Sequence, residues 1–368
     1  MKTYRLFIIN PGGGSTKVAI FENENEIRSK NIRHSPEDLS RFETTLDQLP
    51  YRTELVRDFL SESGFKVTDL DAVVSRGGAF LPLESGTYRI TENLINDVRN
   101  GKVQTDHASN LGVLIAYELI KNTNVPGFFV DPVSVDEFDD TSRLSGLKEL
   151  PRKSLSHALN TKYVAKKLAK EVGIPYEKLR LIVAHLGTGI SISPHRDGRM
   201  FDVNNANDGG PFSPQRTGSL PTTGLIELAF SGRYDFKTLM KKAVKEGGLM
   251  DYLGTDDLAE VERRIARGGK YAELVYRAMI YQIAKEIGAM AAALQGRVDY
   301  IIITGGMAHS EMLVDTLKEY ISWIAPIRVY PGENEMIALA AGALRVLRGE
   351  EVAKEYPGES GKDLQTDN

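Results

Sequence analysis

Short apolar runs and longer amphipathic stretches alternate along the chain, and the alternation lays out its elements. Residues 4–9 (YRLFII) and 18–21 (VAIF) are short and rich in Ile, Val and Phe, which predicts two strands around the glycine-rich turn 10–17. A third strand is expected over 26–33, then helices around 36–49 and 53–63, with Gly64 as a C-cap. Residues 70–74 (LDAVV) read as a buried strand running into Ser75-Arg76-Gly77-Gly78. Thr91 N-caps a helix, residues 111–121 form another, and Gly127–Val130 (GFFV) is a strand ending at Asp131-Pro132. The first part therefore reads β-β-β-α-α-β-α-α-β, an α/β arrangement with an antiparallel start.

A helix over 154–171, closed by Gly173, leads to the strand 181–184 (LIVA), a turn at Gly187–Gly189 and a further apolar strand. A strand near 200–203 and a long polar loop, 204–221, come next; loops of that length are usually functional or disordered. Four helices are expected at 223–230, 236–245, 257–266 and 271–294, the last with Leu274, Val275, Ala278, Met279, Ile283, Ile287 and Met290 as a core stripe. Residues 300–303 (YIII) form a third buried strand ending at Thr304-Gly305-Gly306. Helix 311–324, strand 327–330 and helix 336–348 follow, and the polar tail 350–368 is expected to be mobile. Strand, glycine turn and strand thus occur twice, as expected of a duplicated protein that grips a polyphosphate from two sides.

Composition narrows the class. A chain of 368 residues implies two domains, and 41% hydrophobic with 26% charged residues is the balance of a globular protein. The net charge of -4 argues against a nucleic-acid partner, and the lack of cysteine excludes disulfides and thiolate metal sites. No apolar run reaches the length of a membrane span, and the N-terminus enters a strand at once without a signal-peptide pattern. A cytoplasmic protein is expected.

Three glycines at 12–14 allow positive φ and leave no side chains in a ligand's way, while Asn10, Ser15, Thr16 and Lys17 supply donors for an anion. The stretch is not a P-loop, because Lys17 follows Ser15-Thr16 and a strand comes next; a plain hairpin turn explains it equally well. Other candidates carry ordinary readings too. His157 lies early in a helix, His185 ends a strand, Asp131 precedes a proline, Glu335 is a first-turn acid and Arg216 sits in a polar loop. His34, His107, His195 and His309 read as structural or surface residues.

In order and spacing, the turns Gly12–Gly14, Gly187–Gly189 and Gly305-Gly306 resemble the two phosphate motifs and the adenosine motif of the actin, sugar-kinase and heat-shock-chaperone superfamily. Within it the chain resembles the acetate kinase family, and most of all its butyrate kinases. The segments FIINPGGGSTKVAIF (7–21), VVSRGGAF (73–80), FFVDPVSVDEF (128–138), RKSLSHALNTKYVA (152–165), AHLGTGISIS (184–193), QRTGSLP (215–221), IIITGGMAHSEM (301–312) and PGENEMIALA (331–340) carry the likeness over nearly the whole chain.

The resemblance implies a duplicated ribonuclease H-like (actin-like ATPase) α/β fold with a nucleotide cleft between two domains, 1–152 plus 336–368 and 153–335. It implies reversible, direct in-line transfer of the ATP γ-phosphoryl to butyrate or a related short carboxylate, giving an acyl phosphate and ADP with Mg²⁺. Asn10, Gly12, Gly13, Gly14, Ser15, Thr16 and Lys17 would face the β- and γ-phosphates. His185, Gly187, Thr188 and Gly189 match the second phosphate motif, and Gly305 and Gly306 the adenosine site. Arg76, Asp131, His157 and Arg216 would be catalytic, with Glu335 and Asp131 organising magnesium. A homo-oligomer, dimer or larger, is the family's pattern.

The chain departs from the family in three places. Arg76 abuts Gly77, where the family's substrate arginine lies a few residues earlier. The loop before Arg216 is shorter, and Ser156 replaces a Phe, which would enlarge the acyl end of the pocket. A non-catalytic nucleotide sensor and a sugar-type kinase using Asp131 as base are the alternatives on the same fold.

Overall fold

The computed structural model describes residues 2–358, which divide into two compact units. One runs through Val135 and takes up the chain again at Asn334; the other is Asp136–Glu333. The sequence reading put the first division near Arg152. The buried Lys162–Glu137 ion pair and the Arg196–Asp139 pair hold the intervening segment to the second unit.

The first unit is built on strands β1 (Arg5–Pro11), β2 (Ser15–Glu22), β3 (Asn25–Arg33), β4 (Ala72–Arg76), β5 (Thr87–Arg89) and β6 (Gly127–Val130), in the order β3-β2-β1-β4-β6-β5. The first three form an antiparallel meander, and β1, β4 and β6 run parallel. Both faces of β1 are buried, as the unbroken apolar run requires. Phe7 and Ile9 join Phe59 and Leu114 of the helices Leu49–Glu62 and Leu111–Ile120. The helix Glu335–Leu347 also covers the sheet, and it comes so close at Gly342 that a Cβ there would lie 2.5 Å from Val130 Cγ1.

The second unit repeats the plan with β7 (Leu181–Leu186), β8 (Ile190–Arg196), β9 (Arg199–Met200), β10 (Tyr300–Gly305) and β11 (Ile327–Pro331). Its order, β9-β8-β7-β10-β11, and its strand directions match β3-β2-β1-β4-β6. Strand alternation divides the core into two layers. Leu181, Val183 and Ile302 pack with the helix Ala158–Val172, and Ile182, Ala184, Ile301 and Ile303 pack with the helix Lys270–Ala293. This is the duplicated ribonuclease H-like fold.

Several elements differ from expectation. The first helix stops at Leu39, because Thr44 and Asp47 close a separate turn before the helix at Leu49. The helix expected from 154 begins at Ala158, where His157 has left the helical region with φ -82° and ψ 48°. Gly12, Gly13 and Gly14 do not take positive φ. Their use is space, since a Cβ at Gly13 or Gly14 would meet nothing within 4 Å. The strand Thr87–Arg89 and the helix Leu249–Leu253 escape the sequence reading. The loop 204–221 is ordered in part by Asn204, whose side chain bonds Ile190 O and Ile192 N–H. Of the tail, residues 359–368 lie outside the described residues. No described helix is long and apolar enough to cross a membrane.

Candidate active site

In the first unit the parallel strands β1, β4 and β6 end side by side, and in open α/β sheets ligands gather at such carboxyl ends. Asn10 is the penultimate residue of β1, Arg76 closes β4, and Asp131 follows β6, where Arg76 is in register with Val130. Glu335 begins the helix that packs against these strands. Its Oε1 lies 2.7 Å from Arg76 Nη1, and its Oε2 accepts from Asn10 Nδ2 at 2.6 Å. Three of the residues singled out in the sequence therefore converge, with both oxygens of one carboxylate engaged.

Packing explains the Arg-Gly-Gly run. A Cβ at Gly77 would fall 2.4 Å from Pro132 Cβ, and one at Gly78 would fall 2.1 Å from Asn110 Oδ1. Asp131 is buried and holds φ 37°, an uncommon conformation for a residue with a side chain. The loop at Gly86 fixes it. Gly86 N–H donates to Asp131 Oδ1 at 2.7 Å, and Asp131 N–H donates to Gly86 O at 3.0 Å.

In the second unit His185, on β7, stacks on His157 with ring centroids 3.9 Å apart and planes 8° from parallel. His157 Nδ1 is 2.9 Å from Ser191 Oγ. Asn160 Nδ2 donates to Glu333 O at 2.6 Å, so its Oδ1 must face His185 Nδ1, 2.9 Å away. That network puts the proton of His185 on Nδ1 and turns Nε2 toward Gly187, whose Cβ would lie 3.3 Å from it.

Arg216 lies over the same turn. A Cβ at Gly189 would be 2.4 Å from its Nη1, so only glycine admits the guanidinium there. Arg216 is half-buried and has no carboxylate partner among the described residues; desolvation lowers its affinity for the proton. Ser213, which accepts from Arg216 N–H, donates to Thr188 O and so ties the loop to the turn. Gly305 abuts this turn as well, with φ +91° and room for no Cβ beside Leu186 O, while Gly306 stands in open space.

A model described as the acetokinase family matches residues 148–321. A probable butyrate kinase of Clostridium botulinum is 50% identical over 96% of this chain and 100% of its own length. The chain belongs to the acetokinase family. Butyrate kinase 1 of Clostridium acetobutylicum is 49% identical over 96% of this acetokinase-family chain and 99% of its own. Among solved structures, an acetate kinase of Porphyromonas gingivalis superposes with TM-score 0.76 at 18% identity, over 94% of this chain and all of that one. A propionate kinase of Francisella tularensis gives 0.69 at 18% identity, over 92% and 98%. These two bear on the fold alone.

Sequence reasoning missed two side chains that orient the acetokinase-family histidines. Asn160 lies one helical turn beyond His157, and Ser191 lies in the strand after the second turn. Each sits inside a segment already marked as family-like, and that was the available signal. Arg52, buried behind the first turn, left none.

Proposed function

We propose that the chain transfers the γ-phosphoryl of ATP to butyrate, or to a related short or branched carboxylate, giving an acyl phosphate and ADP in a reversible, direct in-line step. The observation that carries this reading is Arg216, a half-buried guanidinium with no carboxylate partner among the described residues, laid over a glycine turn. A cation so placed suits an anion the protein does not itself supply. The names of the Clostridium relatives support butyrate as the acceptor.

The acceptor carboxylate is ionised at neutral pH, so no general base is required. The chemistry asks for positioning and for neutralisation of charge between two anions. The hairpin Gly12–Gly14 with Asn10, Ser15 and Lys17 grips the β- and γ-phosphates, whereas Thr16, expected among these donors, is buried with its hydroxyl on Arg52 and His34. The turn at Gly187–Gly189 with Thr188 grips phosphate from the second unit. Gly306, in open space, leaves room for adenosine, and Gly305 sets the turn beside it against Leu186 O. Arg76 holds the carboxylate, and His157, His185 and Arg216 stabilise the charge on the moving phosphoryl group. Asp131, tied by Gly86, orients donors around the site.

Mg²⁺ fits this set only together with the nucleotide. No group of three ligating side chains converges among the described residues, and Mg²⁺ is commonly held by one or two carboxylates plus phosphates and water. Glu335 and Asp131 would be those carboxylates, and the ion would supply neutralisation of phosphate charge. The enzyme works in the cytoplasm, where ATP is available. It forms a homo-oligomer, a reading supported by the helices Thr222–Phe230 and Phe236–Val244, which leave Phe230 88% and Phe236 81% exposed.

Incubation with ATP, Mg²⁺, butyrate and hydroxylamine tests the reading. Butyryl hydroxamate is expected, and its absence together with phosphorylation of a sugar would replace the carboxylate kinase with a hydroxyl kinase. Acetate, propionate, isobutyrate and valerate in the same assay rank the acceptors.

A further inference from the structure

Arg52 is completely buried, and no carboxylate among the described residues pairs with it. A guanidinium in that position has to satisfy five N–H groups internally. It does so on the back of the first glycine turn. Nη1 donates to Gly12 O at 2.9 Å and Thr16 Oγ1 at 3.1 Å, and Nη2 donates to Gly13 O at 3.0 Å and Gln48 Oε1 at 2.8 Å. Nε donates to Gln48 Oε1 at 3.0 Å. Thr16 Oγ1 in turn lies 2.9 Å from His34 Nε2, a ring kept neutral by burial and by the Arg52 charge, so the back of the turn is satisfied throughout.

Peptide geometry sets the other face. In a trans peptide the C=O and N–H point in opposite directions, and the described chain has no cis peptide. With the carbonyls of Gly12 and Gly13 drawn onto Arg52, the amides of Gly13 and Gly14 are aimed away from it. A Cβ built at either glycine would meet nothing within 4 Å, so no neighbouring atoms crowd these two residues. Successive amides facing one open space form an anion-binding concavity.

We propose that Arg52 is the positioning residue of the hairpin: it fixes both peptide planes so that the Gly13 and Gly14 amides meet the terminal phosphates of the nucleotide. Its charge, lying behind those peptides, favours the same anion. This rests on the reading of the hairpin as the β- and γ-phosphate grip.

Calorimetric titration of Arg52→Lys with ADP and with AMP tests it. Lysine keeps the charge but cannot reach both carbonyls in a fixed fork. ADP affinity is expected to fall about tenfold, a loss typical of misplaced charge-assisted hydrogen bonds, while AMP affinity and the carboxylate KM stay within about twofold. Equal losses for ADP and AMP, or unchanged affinities with a lowered melting temperature, would overturn the positioning role. Lys17→Met separates this from the parent reading. If it leaves ADP binding untouched, the hairpin does not hold phosphate; if it weakens ADP while Arg52→Lys does not, only the role of Arg52 fails. Should Arg52→Lys not fold, Gln48→Met releases two of the five N–H groups. It is then expected to weaken ADP about threefold without affecting AMP, and a uniform or absent change overturns the proposal.

Discussion

The imidazole of His185 lies parallel to that of His157 at a centroid distance of 3.9 Å, and its Nδ1 proton is fixed by Asn160 Oδ1. The second unit therefore holds a ring whose tautomer is set by a neighbour one helical turn from the other histidine. Asn160→Leu removes that acceptor and leaves a buried N–H without its partner. A loss of about 1–3 kcal/mol, or tenfold to a hundredfold in kcat, is expected with the nucleotide KM little changed. Steady-state kinetics combined with the nitrogen shifts of His185 check it. An unaltered tautomer with unaltered kcat would refute the role of Asn160.

Two glycine-to-alanine changes separate function from stability. In Gly189→Ala the new methyl lands 2.4 Å from Arg216 Nη1, the far end of a flexible side chain that can swing away. Activity is expected to fall about tenfold or more, with little change in melting temperature. In Gly305→Ala the methyl lands 2.3 Å from the backbone oxygen of Leu186, at φ +91°. Nothing there can yield cheaply, and a stability loss of about 2–3 kcal/mol is expected. Denaturation curves and kcat on both variants read the contrast.

Acid sensitivity follows from two buried histidines. His195 is pushed down to about 3, first by burial and then by the charge of Lys162. His34 is pushed down to about 4 by burial and by Arg52. Both rings stay neutral in the folded chain and take up protons on unfolding below the ordinary value of 6.5. Their stabilisation is therefore present above that value and lost as the pH falls toward the folded values. Each ring contributes a slope approaching about 1.4 kcal/mol per pH unit within that window. His195→Gln removes one ring, so the slope of urea-unfolding free energy between about pH 6 and pH 5 is expected to fall by about 1 kcal/mol per pH unit. An unchanged slope would rule out His195 as a source.

Ser156 tests the acyl-pocket idea raised by the sequence. Its side chain is buried, with Oγ 3.8 Å from Met200 Sδ. If the small residue enlarges the acyl end, Ser156→Phe shifts the kcat/KM preference from butyrate toward acetate, by about tenfold for a filled pocket. An unchanged preference with reduced stability would mark Ser156 as a core residue facing Met200.

The strands were legible because each core strand is an apolar run buried on both faces, as in LFII, LIVA and YIII. The three glycine turns were legible because they sit where those runs stop. The strand Thr87–Arg89 was not, since three residues carry no period. Of the two uses the sequence allows for Gly12–Gly14, positive φ is not taken up and open space is found at Gly13 and Gly14, because sequence distinguishes poorly between freedom of backbone and absence of side chain. Arg52 looked like any charged residue on an amphipathic helix. Its value depends on carbonyls 39 and 40 positions away, and local pattern holds no record of them.

Glu335 closes the first unit from the far end of the chain. Asn10 and Arg76 leave the ribosome more than two hundred residues before it, and until then the strands β1, β4 and β6 lack the helix Glu335–Leu347 as well. Even Tyr4, at the start, waits for Leu347 to accept its hydroxyl hydrogen bond. Synthesis therefore completes the second unit's sequence before the first unit can close. A chain cut short ahead of Asn334 would carry all three glycine turns and all eleven described strands, yet lack the carboxylate that holds Asn10 and Arg76 together.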